Sequence, residues 1–292
     1  DELLFNGLVL SDAMNMKGVT KYFKPGEADA RALSAGNDVV EYVPDIEAAL
    51  TEIKAFIKAG KLSEEDISLK CRKVLAAKYW AGLNQSDILS PEGTETDLSS
   101  PQIRALIRDL YASSLTLLEN RDNILPLRNL DRIRIATVSV NRKNHTIFQE
   151  RIASYAPSDN FFVDASNKAS ASKLAEKLAG YDVVIAAIHG TSPRPAANYG
   201  VTQELKSLIE SLAGMKKCII VWFGNPYALA RAVPAENSAA LLLSYQDNEY
   251  TEDLSAQLIF GGICARGMLP VTINEKWKAG NGILTPGGIR MQ

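Results

Sequence analysis

Apolar positions along the chain change their spacing several times, and each change marks an element. Near the start, Leu8-Val9-Leu10 is a short all-aliphatic run closed by Ser11-Asp12, which reads as a strand buried on both faces. Residues 27–34 are helix-compatible, and Ala35-Gly-Asn-Asp-Val-Val-Glu-Tyr-Val-Pro44 holds a second aliphatic run, so the three pieces form a short β-α-β unit. From 45 to 59 the apolar residues Ile46, Leu50, Ile53 and Ile57 recur at helical spacing, and Gly60 ends the segment. Ser63, with Asp66 three residues on, caps a further helix whose apolar face is Ile67, Cys71, Val74 and Leu75 and which stops at Gly82.

Residues 84–100 then turn to Ser, Asp, Glu, Thr, Pro and Gly, the composition of a linker, so the boundaries expected are a first domain over 1–83, a linker over 84–100 and a second domain over 101–292. Ser100-Pro101 is a helix start, and Ile103, Leu106, Ile107 and Leu110 supply the stripe expected to be buried. Residues 133–140, 183–188, 218–223 and 239–244 are dense in β-branched and aliphatic side chains, as parallel strands covered on both faces should be. Helices fill the gaps: Thr202 caps one with face Leu205, Leu208, Ile209 and Leu212, Asn225-Pro226 starts a shorter one, and another covers 253–260. Residues 141–180 carry the weakest pattern.

Composition narrows the function classes. With 292 residues, 46% of them hydrophobic, the chain can bury two cores. A formal net charge of -2 with interspersed signs leaves no electrostatic footprint for nucleic acid or anionic lipid. No apolar stretch approaches the ~20 residues that span a bilayer. Cys71, Cys218 and Cys264 are far apart and odd in number, so they are expected to be small buried apolar groups, not a disulfide framework. The two histidines, His145 and His189, lack ligand spacing to any acid or thiol, and no bound metal is expected. No Gly-x-Gly-x-x-Gly, Gly-Lys-Ser/Thr or Gly-x-Ser-x-Gly motif is present, which sets aside nucleotide cofactors and a serine nucleophile.

Asp12 is the strongest candidate for chemistry, because catalytic groups of α/β barrels sit at the C-terminal ends of strands. Its segment, Gly7-Leu-Val-Leu-Ser-Asp-Ala-Met-Asn-Met-Lys-Gly18, resembles the nucleophile segment of glycoside hydrolase family 3, and Ala13 resembles that family's β-N-acetylglucosaminidases. Residues 35–44 are similar to the family's last barrel strand. Residues 112–120 with Ile124-Leu-Pro-Leu127 resemble the opening of its C-terminal domain, and residues 261–273 its closing strand. The resemblance implies an α/β architecture: the last two strands and helices of a TIM (β/α)8 barrel truncated at its front, followed by a three-layer α/β/α sandwich.

It also implies a retaining hydrolase of terminal β-linked N-acetylglucosamine, acting on peptidoglycan fragments or related aminosugar glycosides. Asp12 would attack the anomeric carbon, and no metal or organic cofactor would be needed. The same family implies a periplasmic or cell-envelope setting, though the sequence leaves the compartment open. In the family's β-glucosidases the proton donor is a glutamate in a loop of the C-terminal domain; here residues 189–203 contain no carboxylate. In the N-acetylglucosaminidases the donor is a histidine paired with aspartate on an upstream barrel loop, which would lie before residue 1. The isolated chain is therefore expected to be inactive, and its open barrel strands at 8–10 and 38–42 to self-associate.

Lesser candidates stay open between roles. Met14 and Met16 could line a sugar pocket or serve as packing. His189 ends a buried strand beside Arg194 and Tyr199 at the sheet edge that binds ligands in α/β folds. It could act as an acid, contact a sugar together with Arg194, or be an ordinary loop histidine, since the neighbouring sequence offers no carboxylate partner. The alternative from another class is a non-catalytic glycan-binding or interaction module in which Asp12 is vestigial.

Overall fold

A computed structural model describes residues 5–85, 92–215 and 217–288. The chain divides into two compact units, Asp1–Gly93 and Thr94–Gln292.

In the first unit the two aliphatic runs lie side by side in parallel, joined at Leu10 and Val39. The Ser11 N–H donates to the Val39 carbonyl at 3.0 Å and the Asp38 N–H to the Val9 carbonyl at 2.7 Å. They meet as this single bridge, not as extended strands, and Leu10 is 50% exposed. Four helices follow the first run: α1 (Lys17–Thr20), α2 (Glu27–Ser34), α3 (Ile46–Lys58) and α4 (Glu64–Trp80). The Asp45 side chain caps α3 by accepting from the Ala48 N–H, and Ser63 and Asp66 form a reciprocal capping box on α4. Gly26 starts α2 at φ 79°, and a Cβ there would fall 2.3 Å from the Ala48 carbonyl oxygen, so only glycine lets α2 and α3 approach this closely. Cys71 is exposed on α4, which corrects the expectation of three buried thiols; only Cys218 is fully buried, and Cys264 is half-buried. Of the expected α4 face, Ile67 and Val74 turn partly inward while Cys71 and Leu75 stay in solvent.

The second unit starts with α5 (Thr94–Leu98), inside the expected linker, of which residues 86–91 lie outside the described residues. Along the chain come α6 (Pro101–Ser114), β1 (Thr116–Asn120), β2 (Ile135–Val140), α7 (Ile147–Ala153), β3 (Ser158–Val163), α8 (Lys168–Leu178), β4 (Val183–Ile188), α9 (Gln203–Ala213), β5 (Cys218–Trp222), α10 (Pro226–Leu229), β6 (Ala240–Leu243) and α11 (Glu249–Ile259). The six strands form one mixed sheet in the order β1-β6-β5-β4-β2-β3, with β1 antiparallel to β6 and the other pairs parallel.

Side chains alternate across this sheet, so each parallel strand feeds two cores. One collects Val138, Ile188, Ile220, Trp222 and Leu243 with Leu205, Leu208 and Leu212 of α9 and Leu178 of α8. The other collects Ile135, Ile185, Val221 and Leu242 with Phe148 and Ile152 of α7 and Leu254 and Leu258 of α11. Helices thus cover both faces, which is why these strands read as continuous apolar runs.

Two expectations differ from what is observed. Leu106 and Leu110 of α6 are exposed while Ile103 and Ile107 are half-buried, so the α6 stripe is only partly covered. Residues 261–273 run as irregular chain instead of a closing strand. Pro270 has no N–H to donate, and Gly267 lies so close to the backbone of Ser114 and Leu115 that a Cβ would be 2.5 Å from either carbonyl oxygen. The segment still contributes Leu269 and Ile273 to the core.

Candidate active site

The Asp12 site is built from the turn that follows the first aliphatic run. Ser11 fixes it: its hydroxyl donates to the Asp12 carbonyl at 2.8 Å and accepts from the Glu41 N–H at 3.0 Å, while the Met14 N–H donates to the Glu41 carbonyl. The two runs are locked at their base by Asp38, whose Oδ2 accepts from the Val9 N–H at 2.9 Å and from Lys73 Nζ at 2.5 Å. Burial alone would raise the Asp38 carboxyl, but these two donors outweigh it and hold the group below the usual carboxylate range. Asp12 itself is exposed, and Oδ1 accepts from the adjacent Ala13 N–H at 2.7 Å. Its carboxylate is thus aimed by a short turn and accessible to a reactant.

Met14 points inward and lines a cavity of about 200 Å³ with Val19, Phe23, Pro25, Asp29 and Pro44. Met16 is 52% exposed just before α1, on the same turn but outside that cavity. Asp29 is buried there with Oδ1 unpaired, and burial raises its carboxyl.

In the second unit His189 ends β4 and Asn141 ends β2, and these neighbouring strands lead their chains to opposite sides of the sheet. That makes their C-terminal ends the topological switch point, where α/β sheets place ligands. Asn141 bridges the two ends, donating from Nδ2 to the His189 carbonyl at 3.2 Å. His189 is fully buried and stacked on Phe223, with ring centroids 4.7 Å apart and planes 6° from parallel. The carboxylate partner absent from its sequence neighbourhood is supplied by the fold. Asp247 Oδ1 lies 3.0 Å from His189 Nδ1, and Asp247 Oδ2 lies 2.9 Å from the Arg142 guanidinium and accepts from the Gly190 N–H at 3.4 Å.

Glu252 also stands beside the imidazole, its Oε1 4.0 Å from the same Nδ1. Burial pushes Asp247 upward, yet His189 and Arg142 outweigh it and leave that carboxyl lowered; burial prevails at Glu252 and raises it. Glu252 also borders a cavity of about 540 Å³ lined by residues 141–147. His189, Asp247 and Glu252 could together hold a metal ion. Arg194 is exposed on the following loop, where its backbone N–H donates to Ser192 Oγ at 3.1 Å, and no contact joins its side chain to His189.

Two family models match this chain: the glycosyl hydrolase family 3 N-terminal domain over residues 1–77 and the glycosyl hydrolase family 3 C-terminal domain over residues 115–285. The chain belongs to glycosyl hydrolase family 3. The resemblance carried by residues 7–18 and 112–127 therefore holds at the level of the family.

Among curated relatives, beta-hexosaminidase A of Pseudoalteromonas piscicida is 25% identical over 94% of this chain and 51% of its own length. Beta-N-acetylglucosaminidase/beta-glucosidase of Cellulomonas fimi is 30% identical over 44% of this chain and 22% of its own. A putative beta-xylosidase of Formosa agariphila is 24% identical over 94% and 40%. The chain thus spans about half or less of the length of these relatives. Similar solved structures include the family 3 beta-N-acetylglucosaminidase of Paenibacillus sp. str. FPU-7, with a TM-score of 0.70 at 18% identity over 93% of this chain and 52% of that one. Beta-glucosidase of Listeria innocua gives 0.72 at 19% identity over 90% and 40%. These likenesses establish a shared α/β fold.

Proposed function

We propose that the chain is part of a retaining family 3 hydrolase that releases terminal β-linked N-acetylglucosamine, with Asp12 as the nucleophile and the proton donor on a barrel loop upstream in the parent protein. The observation that carries the reading is the exposed Asp12 carboxylate at the tip of a parallel-bridged run, oriented by the Ser11–Glu41 hydrogen bond. Residues 189–203 hold no carboxylate, which speaks for the aminosugar branch over a glucosidase arrangement, and the hexosaminidase from Pseudoalteromonas piscicida matches across nearly the whole chain. In this reading the two bridged runs are the last strands of the barrel, the second unit is a sandwich domain, and Met14 contributes to the sugar pocket.

The chain alone turns over no substrate, because positioned acid catalysis contributes about 10²- to 10⁴-fold and the other barrel walls hold the sugar. The exposed apolar side chains Val9, Leu10 and Leu50 pack against the rest of the barrel in the parent and drive self-association of the chain by itself. The deciding experiment assays the full-length protein and its Asp12→Ala variant with a chromogenic N-acetylglucosaminide, beside glucoside and xyloside analogues. The variant should lose about 10³-fold or more in kcat. Unchanged turnover in the variant removes Asp12 as nucleophile, and preference for the glucoside or xyloside removes the aminosugar assignment.

A further inference from the structure

Outside the Asp12 site, three titratable side chains contributed by separate elements converge at the C-terminal edge of the sheet: His189 at the end of β4, Asp247 after β6 and Glu252 in the first turn of α11. One donor atom from each lies within 4.8 Å of the others. Both carboxylates are arranged in the same way, with one oxygen anchored and the other turned to the imidazole. Asp247 Oδ2 is held by Arg142 and the Gly190 N–H while Oδ1 lies 3.0 Å from His189 Nδ1. Glu252 Oε2 accepts from the Phe148 N–H at 3.2 Å while Oε1 stands 4.0 Å from the same nitrogen.

We propose that His189 Nδ1, Asp247 Oδ1 and Glu252 Oε1 bind one divalent first-row transition-metal ion of the zinc type. One imidazole with two carboxylates is a donor set for such ions, whereas an all-oxygen set would favour calcium or magnesium. The two separations from Nδ1, 3.0 Å and 4.0 Å, bracket the spacing of about 3.4 Å that tetrahedral ligands adopt at metal–ligand distances of about 2.0–2.2 Å, so small side-chain shifts would complete the site. Anchoring of the non-coordinating oxygens by Arg142, Gly190 and Phe148 is the outer-shell support that metal-bound carboxylates require, and the Phe223 stack fixes the ring.

Arg142 touches only Oδ2, so its charge offsets that of the carboxylate without occupying the ligand position. The 540 Å³ cavity is lined by Glu252 and so reaches one of the three ligands from solvent. On binding, Nδ1 presents its lone pair and His189 coordinates as the neutral Nε2–H tautomer: an imidazolium would release its Nδ1 proton to solvent, and a neutral Nδ1–H ring would carry its one proton on Nε2 instead. The bound ion would tie β4, the loop after β6 and α11 into one rigid corner.

Calorimetric titration of the untagged, chelator-treated chain with Zn²⁺, together with the visible spectrum of the Co²⁺ form, tests this. One equivalent should bind, and Glu252→Gln and His189→Asn should each weaken binding by about 10- to 100-fold. Should His189→Asn fail to fold, Glu252→Gln and the Co²⁺ spectrum decide. Absence of saturable uptake, uptake unaffected by Glu252→Gln, a thiolate charge-transfer band implicating Cys71 or Cys264, or equal affinity for Mg²⁺ would each overturn the assignment.

Discussion

Asp247 is the residue on which the switch-point cluster depends, and replacing it gives a graded prediction. In the metal-free chain its carboxylate serves a fully buried imidazole and a guanidinium that is 43% exposed. A hydrogen bond between a charged group and a buried partner contributes about 1.5–3 kcal/mol, whereas the solvent-screened Arg142 pair contributes about 0–1 kcal/mol. Asp247→Asn keeps the shape and a neutral hydrogen bond to His189, so it should lose about half of that sum, roughly 1–2 kcal/mol. Asp247→Ala leaves Nδ1 buried without a partner and should cost a further ~1–2 kcal/mol.

Urea unfolding in the presence of chelator measures both variants, read by tryptophan fluorescence. Trp222 and Trp277 are buried in the second unit, while Trp80 of the first is 88% exposed and changes little on unfolding. The pH dependence carries a sign. Because the folded Asp247 carboxyl is lowered, its contribution is complete above the unfolded pKa of about 3.9 and disappears as pH falls through the folded value. The gap between wild type and Asp247→Asn should be flat above about pH 5 and begin to narrow as pH falls below about 4, closing only beneath the lowered folded value. An Asn variant within about 0.5 kcal/mol of wild type, an Ala variant no worse than Asn, or a gap that widens as pH falls below about 4 would refute the energetic account of the cluster.

Ser244 and Ser255 share one hydroxyl–hydroxyl bond of 2.7 Å, both fully buried, so either single alanine substitution should cost about 1–2 kcal/mol by orphaning its partner. The Ser244→Ala/Ser255→Ala double variant should cost no more than one single, a coupling that a double-mutant cycle of chemical denaturation reads directly, and additive losses would contradict it. For the thiols, burial pushes Cys218 up to about 12, whereas Cys71 is exposed. Ellman's reagent at pH 8 should therefore titrate Cys71 quickly and Cys218 only after denaturation, with rapid modification of Cys218 in the folded chain as the contrary result.

How much of this was legible in the sequence depends on how local each feature is. Four of the six strands announce themselves because β2, β4, β5 and β6 are covered on both faces and carry aliphatic side chains at nearly every position. β3 does not: Ser158, Asp159 and Asn160 open it, because this strand pairs only with β2 and its outer edge faces solvent. With β3 unread, the helices α7 and α8 around it were unread as well. Asp12 was legible for the opposite reason. Its candidacy is announced by contiguous residues, twelve positions in one stretch that resemble a segment of the family.

His189 shows the limit of that kind of reading. Its acid partner lies 58 residues downstream. The two meet only because β5 separates β4 from β6 in the sheet and both parallel strands end on the same edge. Glu252 joins them because Asn248 caps α11 and sets its first turn, delivering a carboxylate at the third position after Glu249 to the same spot. Spacing rules that look for ligands a few residues apart on one helix cannot find a cluster whose members are contributed by three elements. Strand order supplies what sequence distance hides, so in a parallel sheet the residues just beyond each strand's C-terminal end should be compared with one another before any is judged to lack a partner.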